Sequence, residues 1–281
     1  MKKTNIIIFA TYWNEIDWIE SSLEQIEKIN PIEVIICDGC FDDTKENKST
    51  DWTREIIEKW VSERDNARMI SAIRIPHKIY GFFWLLKNFT FPNIIRLYTA
   101  LIAMIENKYR INQALTFNNM RNISKHWKEW LWFMNYDADQ FYSDQIIGNI
   151  QKYCNENNNY WLLTANENTF FHDFDTYTNE YEKRDFNNMP HKIYPNTFVK
   201  PTRDNHREYI FRRKYYKNDT TVESKNIGTY NHYKFRPVSI DRINDGYNLW
   251  DRKAPNIKQY KFKKYIWKHP SIILRKFLEI K

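Results

Sequence analysis

The sequence predicts an α/β protein in which a mostly parallel β-sheet is flanked by helices. Short apolar runs alternate along the chain with longer segments whose apolar residues recur every three or four positions, as expected for strands that alternate with amphipathic helices. The 281 residues are enough for one large core, and the hydrophobic content of 42% excludes a disordered chain. We therefore expect strands that are buried on both faces.

Three strands and two helices alternate in the first part of the chain. The first helix is predicted from Ile16, Ile19, Leu23 and Ile26, which recur at helical spacing. Because a helix separates each strand from the next, the strands are expected to be parallel. In order, the predicted elements are strand Asn5–Ala10, helix Glu15–Ile29, strand Glu33–Cys37, helix Asp51–Val61 and strand Arg68–Ile75.

The pattern resumes after an irregular stretch at about residues 77–110 and loosens again beyond residue 166. The next predicted elements are helix Ile111–Trp127, strand Trp130–Tyr136, helix Asp144–Tyr153 and strand Tyr160–Ala165. The polar, aromatic-rich remainder offers short strand candidates such as Tyr209–Arg213 and Ile227–Tyr233. Without repeats or a Ser/Gly linker, the chain reads as one domain over residues 1–250, with an irregular C-terminal half and a basic, aromatic tail over residues 251–281.

Composition excludes two common ways of holding phosphate. The five glycines are never closer than 18 residues apart, so neither the G-x-G-x-x-G turn nor the G-x-x-x-x-G-K-[ST] loop can be present. The net charge of +8 is uneven: residues 1–199 carry −5, and residues 200–281 carry +13. A basic block of this kind favours an anionic partner (nucleic acid, lipid or a phosphorylated ligand) or is simply a solvated surface.

The cysteines and the N-terminal segment favour a cytoplasmic protein. Cys37, Cys40 and Cys154 form no disulfide framework, and we expect a buried thiol at Cys37 rather than a redox centre. The apolar run Asn5–Ala10 is too short for a signal peptide and reads as a strand.

Lysines and aromatic residues interleave in the C-terminal segment 258–281. That pattern suits peripheral contact with an anionic membrane, at the inner face of a cell membrane for a cytoplasmic protein. An ordinary terminal helix packed on the domain is the alternative.

The most informative motif is the Asp137-Ala138-Asp139 sequence that follows the apolar run Trp130–Tyr136. Ligands of parallel sheets bind beyond the carboxyl ends of the strands, which is where these two carboxylates emerge. Two close carboxylates repel each other unless a cation lies beside them, and a hard divalent ion bound through oxygens would stabilise the pair. The alternative is an Asp pair that caps the helix starting near Ser143.

Four motifs in order resemble the inverting family 2 glycosyltransferases of the GT-A fold. They are Thr11-Tyr12-Trp13-Asn14-Glu15 after the first strand, Cys37-Asp38-Gly39-Cys40-Phe41-Asp42-Asp43-Thr44 after the second, Met120-Arg121-Asn122 on a helix, and Asp137-Ala138-Asp139. They correspond to the family's T-x-[YF]-N-E, D-D-G-S-x-D-x-T, A-R-N and D-A-D patterns over roughly residues 4–165. The sequence departs from those patterns at Cys40-Phe41 and Met120.

The resemblance implies a Rossmann-like GT-A domain with a nucleotide-binding half, residues 1–140, and an acceptor half, residues 141–250. It implies transfer of a sugar from a nucleotide sugar, with a UDP-sugar favoured, to a hydroxyl of a glycan or lipid-linked acceptor in cell-surface polysaccharide synthesis. The donor-binding residues would be Thr11, Trp13, Glu15, Asp38, Arg121 and Asp137. Among them, Asp38 would accept a hydrogen bond from an N–H of the nucleobase, and the Trp13 ring would stack on that base. Asp137 and Asp139 would hold Mn²⁺ or Mg²⁺, which offsets the charge of the leaving diphosphate.

The C-terminal half offers candidates for the base that deprotonates the acceptor hydroxyl. In bacterial members of the family, an R-L-F-R strand, a V-H-E turn and a later H-Y resemble the segments around Arg207–Arg212, Glu223 and His232. The resemblance implies that Glu223 is the base and that His232 completes the metal shell or binds phosphate. Asp173 and Asp175 are the alternative bases.

Two other function classes compete with this interpretation. A sugar-1-phosphate nucleotidyltransferase shares a similar sheet but usually carries a glycine-rich loop after its first strand, and Thr11–Ile16 contains no glycine. A non-catalytic module could instead bind nucleic acid or membrane through its basic C-terminal block. We expect no nucleic-acid binding, because the chain has no R-G-F-type or zinc-finger signature.

Overall fold

A computed structural model shows an α/β protein built on an eight-stranded, mostly parallel sheet. It describes residues 2–42, 44–74, 108–128, 130–171, 173–179, 188–193, 198–200, 208–210, 223–234 and 261–278. The predicted irregular stretch at 77–110 lies almost wholly outside these residues, as do the start of the 258–281 segment and the end of the predicted strand Tyr209–Arg213.

The sheet begins with four parallel strands. These are β1 (Thr4–Tyr12), β2 (Pro31–Asp38), β3 (Ala67–Ser71) and β4 (Trp132–Tyr136), in the spatial order β3-β2-β1-β4. The sequence predicted each of them, although β3 ends at Ser71 rather than Ile75. Two residues beyond its end, the Ile73 amide donates to the Thr116 hydroxyl and not to a neighbouring strand.

The other half of the sheet contains both parallel and antiparallel strand pairs. It contains β5 (Gln140–Phe141), β6 (Tyr160–Phe170), β8 (His191–Lys192) and β11 (Glu223–Tyr233), in the order β8-β6-β11-β5 beside β4. Strand β11 is parallel to β6 and antiparallel to β5. Outside this sheet, β7 (Thr176–Tyr177) pairs with β12 (Lys263–Lys264), and β9 (Phe198–Lys200) pairs with β10 (Glu208–Ile210).

Helices flank the sheet on its two faces. They are α1 (Ile19–Ile29), α2 (Thr53–Ser62), α3 (Lys108–Ile123), α4 (Asp144–Asn155) and the single turn α5 (Ser271–Ile273), which continues as π-helix over Leu274–Leu278. Successive β1 side chains point to opposite faces, so Ile6 and Ile8 join one buried cluster while Ile7 and Phe9 join the other.

The first helix starts four residues later than predicted. The carbonyl of Glu15 accepts from the amides of Trp18 and Ile19, and the amide of Glu15 donates to the Thr53 hydroxyl. Residues 15–18 therefore form a turn that is tied to the loop before α2, and the helix begins only at Ile19.

The last described segment, residues 261–278, packs on the domain. Ile272 and Ile273 are buried, Arg275 pairs with Glu24, and Lys276 lies 2.8 Å from Glu20 on α1. For residues 271–278, the structure therefore shows the alternative predicted from the sequence, a terminal segment packed on the domain rather than a helix that lies on a membrane. Within the residues that the structure describes, no helix combines the length and hydropathy needed to cross a membrane.

Candidate functional site

The Asp137-Ala138-Asp139 turn lies where β4 ends, and the edge strand β5 follows it at once. In β5, Gln140 pairs with His232 of β11, and the Tyr233 amide donates to the Asp139 carbonyl over 2.8 Å. These backbone bonds hold the turn against the carboxyl end of β11. Residues that are 92 and 94 positions apart in sequence are brought into contact in this way.

Asp139 and His232 form the centre of the site. The His232 Nε2 atom lies 3.2 Å from the Asp139 Oδ2 atom, and both side chains are almost fully buried. The Lys234 Nζ atom lies 3.0 Å from the same ring nitrogen. A carboxylate, an imidazole and an ammonium group therefore meet at the carboxyl edge of the sheet.

Glu167 of β6 lies behind His232. Its carboxylate is buried and is 2.8 Å from the His232 Nδ1 atom, while the hydroxyls of Tyr230 and Thr169 each donate to it over 2.6 Å. The parallel register of β6 and β11 creates this arrangement, because Tyr230 is paired with Glu167 and His232 with Thr169. Glu167 was not among the predicted site residues, because it lies in a polar run beyond Ala165, where the predicted strand ends.

The buried charges shift one another's pKa. Burial alone would raise the pKa of Glu167, but the positive charge of His232 and its ring hydrogen bond outweigh burial and lower that pKa to about 2. Burial and Lys234 lower the pKa of His232, whereas Asp139 and Glu167 raise it, and the net effect is a pKa of about 10. In the absence of a bound cation, the imidazole is therefore held as a cation between two carboxylates.

This donor set has the chemistry expected of a site for a divalent cation. When the Nδ1 proton points at Glu167 and Nε2 is unprotonated, the imidazole presents a lone pair beside the Asp139 carboxylate. Mg²⁺ and Mn²⁺ are commonly bound by one or two protein side chains together with phosphate oxygens. Among the described residues, no cluster of three His, Cys, Asp or Glu side chains could hold a metal, so a cation here would need ligand oxygens as well.

Asp137 lies beside this centre and has a different neighbour. Its Oδ2 atom accepts a 2.9 Å hydrogen bond from the Asn188 side chain, and the residue is half-buried. The alternative in which the Asp pair caps the following helix is wrong. Ser143 is the residue that caps α4, since its hydroxyl accepts from the Ile146 amide.

Asp38 lies at the end of β2, in register with Tyr12, but its carboxylate is buried inside the protein. One oxygen accepts from Ser49, whose hydroxyl is 2.6 Å away, and the other is 2.9 Å from the Arg54 guanidinium. Asp38 therefore anchors the loop before α2. Its predicted contact with a nucleobase stays a prediction, and that contact would require the loop to open.

The loop before α2 also covers the Thr11–Glu15 turn. Trp13 is only 7% exposed, its indole N–H donates to the Lys48 carbonyl, and the Lys45 ammonium lies 5.9 Å from its ring centroid. The predicted stacking face of Trp13 thus lies under protein.

Thr11 is half-buried and in register with Cys37. Cys37 is itself a buried, free thiol whose pKa burial raises, as expected of a structural cysteine.

Two predicted site residues, Arg121 and Glu223, lie at the edge of the sheet opposite to the carboxyl edge that carries Asp139. Arg121 is in the last turn of α3 and donates to Asn122; the end of that helix contacts Arg68 at the start of β3. Glu223 is exposed and is the first residue of β11, nine positions before His232, which corresponds to about 30 Å along a strand. The structure therefore does not bring Arg121 or Glu223 to the Asp139–His232 centre.

Asp173 and Asp175 follow β6 at the same edge as Asp139, and both are exposed. Asp173 closes a turn, since its Oδ1 atom accepts from the Asp175 and Thr176 amides and from the Thr176 hydroxyl. The Asp175 carbonyl accepts from the Tyr265 amide, which leaves its carboxylate at the surface of the turn.

Comparison with protein-family models and with curated protein sequences gave no match for this chain. The chemistry of the site is therefore argued from its own residues.

Proposed function

We propose that the protein is a metal-dependent, inverting glycosyltransferase of the GT-A type, which moves a sugar from a nucleotide-sugar donor to a hydroxyl acceptor. The observation that carries the proposal is the contact between Asp139 of the D-A-D turn and His232, at the carboxyl edge of a largely parallel sheet. This edge is where open α/β sheets bind their ligands.

Three groups of the site suit a nucleoside diphosphate with a divalent cation. Asp139 and the His232 Nε2 atom would hold Mn²⁺ or Mg²⁺, and Lys234 places an ammonium beside them for phosphate oxygens. A bound cation would supply stabilisation of the negative charge on the departing diphosphate. Glu167 fixes the ring by accepting from Nδ1, which keeps Nε2 directed at Asp139.

The acceptor hydroxyl requires a base on the side of the sugar opposite the diphosphate. We assign that role to Asp175, because it is exposed at the same edge as Asp139 and its turn is held in place by the Asp173 hydrogen bonds. Glu223 does not take this role in the proposal, since it begins the strand whose other end carries His232.

The test is the variant Asp139→Asn, assayed with UDP-sugars and Mn²⁺ while binding of UDP is followed by thermal shift. We expect loss of the Mn²⁺-dependent UDP shift and a fall in transfer of about 10²-fold or more, because a charged ligand of the cation becomes neutral. Asp144→Asn, at the exposed start of α4, is the matched control and should behave as wild type. A Mn²⁺-dependent shift of undiminished size in Asp139→Asn would overturn the assignment.

The thermal-shift screen also separates the other function classes. The wild type is tested with each nucleoside diphosphate, with and without Mn²⁺. A shift that needs both metal and one diphosphate supports a nucleotide-sugar enzyme. No shift with any nucleotide would favour the non-catalytic binding module.

A further inference from the structure

Residues 261–268 form a short basic and aromatic surface, which we term the Trp267 turn. Lys261, Lys263, Lys264 and Lys268 are exposed around two exposed apolar side chains, Ile266 (76%) and Trp267 (58%). The sequence between residues 252 and 278 contains no Asp or Glu. An apolar tip is thus surrounded by positive charge without acidic neighbours in sequence.

The turn is held rigidly by the domain. Strand β12 pairs with β7, and the Tyr265 hydroxyl accepts a 3.1 Å hydrogen bond from the Asn231 side chain. The Trp267 ring packs edge-on against Tyr177 and Tyr265, with centroids 5.8 Å and 5.7 Å away. Trp267 is therefore fixed in position while more than half of its surface faces outward.

We propose that the Trp267 turn is a membrane-contact surface for anionic lipid. Tryptophan prefers the headgroup region of a bilayer, where an apolar ring and a polar N–H are both accommodated. Exposed lysines close to such an insertion point gain from the negative surface potential of an anionic leaflet. Arg275 and Lys276 are not part of this surface, because they pair with Glu24 and Glu20 on α1.

The turn also contacts β11, the strand that carries His232, on the face opposite to the His232 side chain. Tyr265 contacts Asn231, and His269 lies 2.7 Å from the Tyr233 hydroxyl, so the segment touches the residues on both sides of His232. Contact with lipid here would bring the carboxyl edge of the sheet close to the membrane surface. The inference does not rest on the proposed transfer reaction, since lipid binding needs neither donor nor cation.

The test is co-sedimentation of the full chain with vesicles of phosphatidylglycerol and phosphatidylcholine in equal parts, compared with vesicles of phosphatidylcholine alone. We expect binding to the anionic vesicles, weakened by salt. Replacing Ile266 and Trp267 together by Ser should reduce the partition coefficient about tenfold or more. Replacing Lys263 and Lys264 together by Gln should reduce it about 25-fold, at about fivefold per lysine.

Controls use exposed residues of the same types elsewhere in the fold. Trp52→Ser removes a tryptophan that is 72% exposed, and Lys59→Gln removes an exposed lysine of α2; neither should change vesicle binding. Brominated lipid should quench tryptophan emission in the wild type, and Trp267→Phe should abolish most of that quenching.

Three outcomes would overturn the inference: wild-type binding no stronger to anionic than to neutral vesicles, full binding by both double variants, or quenching that survives Trp267→Phe. Sedimentation velocity adds a fourth. If the Ile266/Trp267 variant dissociates a dimer and leaves vesicle binding unchanged, the surface binds a second copy of the chain and not lipid. Circular dichroism of each variant establishes that it is folded.

Discussion

Glu167 and His232 form a buried 2.8 Å contact between adjacent parallel strands, and this contact fixes the ring that faces Asp139. The two residues are 65 positions apart in sequence. The pair stands behind the proposed cation site, with a carboxylate on Nδ1 and a potential ligand atom at Nε2. Four predictions follow from this centre and its surroundings.

Glu167→Gln should weaken the response to Mn²⁺. An amide accepts less strongly from Nδ1 than a carboxylate does, so the ring would be less basic and less well oriented. Loss of such a partner commonly reduces metal affinity about 10-fold to 100-fold. Titration of Mn²⁺ in the UDP thermal-shift assay measures the effect. Glu156→Gln, at the exposed end of α4, is the control, and equal Mn²⁺ affinity in the two variants would contradict the positioning role.

His232→Gln should reduce thermal stability most between about pH 4.5 and 6.5. The pKa of His232 is raised to about 10, so the stability it contributes is fully present below its ordinary value near 6.5 and is lost as the pH rises through about 10. The pKa of Glu167 is lowered to about 2, so its contribution is present above about pH 4.5 and is lost as the pH falls toward 2.

Differential scanning calorimetry of the metal-free protein at about pH 6 and about pH 10 measures this dependence. The difference in Tm between wild type and His232→Gln should be several degrees at the lower pH and clearly smaller at the higher pH. A difference that stays constant across this range would show that the imidazolium adds no stability between its two carboxylates.

Asp38→Ala should destabilise the fold whether or not Asp38 contacts a ligand. The variant removes the buried partner of Arg54 and the acceptor of two hydrogen bonds that Ser49 donates. Arg54 is partly exposed and keeps its ion pair with Glu58, so the expected cost is that of hydrogen bonds to a charged group, about 2 kcal/mol. Urea unfolding measures the change, with Asp42→Ala in the neighbouring turn as a control. A free energy of unfolding equal to that of wild type would contradict the anchoring role.

Asp175→Asn should lower kcat about 10²-fold to 10⁴-fold while UDP binding is retained, because a base acts only on the acceptor. Glu223→Gln should transfer sugar at the wild-type rate, since Glu223 lies at the far end of β11. Transfer of a radiolabelled sugar to the acceptor, measured for both variants, gives the comparison. If Glu223→Gln is the inactive variant and Asp175→Asn is active, the assignment of the base is wrong.

The parallel half of the sheet was predictable because three of its four strands, β1, β2 and β4, are buried on both faces. Runs such as Ile6–Ala10 and Val34–Cys37 are apolar throughout, and the sequence indicates such strands without help from tertiary contacts. The D-A-D turn was placed correctly for the same reason, since it follows the apolar strand β4. The α/β class with a mostly parallel sheet is confirmed, while the finer GT-A assignment stays a prediction.

The second half of the sheet was less predictable because its strands carry polar residues inward. Strand β6 continues from Ala165 through Glu167 and Thr169 to Phe170, and two of the partners of its buried Glu167 carboxylate, Tyr230 and His232, lie on β11. No local pattern reveals such a partner. The distance of Glu223 from His232 was hidden for a related reason: resemblance to a short motif gives no information on which end of a strand a residue occupies.

The position of β11 also determines when the site can form. This strand lies between β6 and β5 in the sheet, and β5 is held to the sheet through it. During synthesis, Asp139 and Glu167 emerge long before residues 223–233. The site therefore forms only after β11 has inserted between β5 and β6. Such long-range pairing is slow to form. A chain that ends before β11 would contain Asp139 and Glu167 but not His232, so formation of the centre reports on completion of the fold.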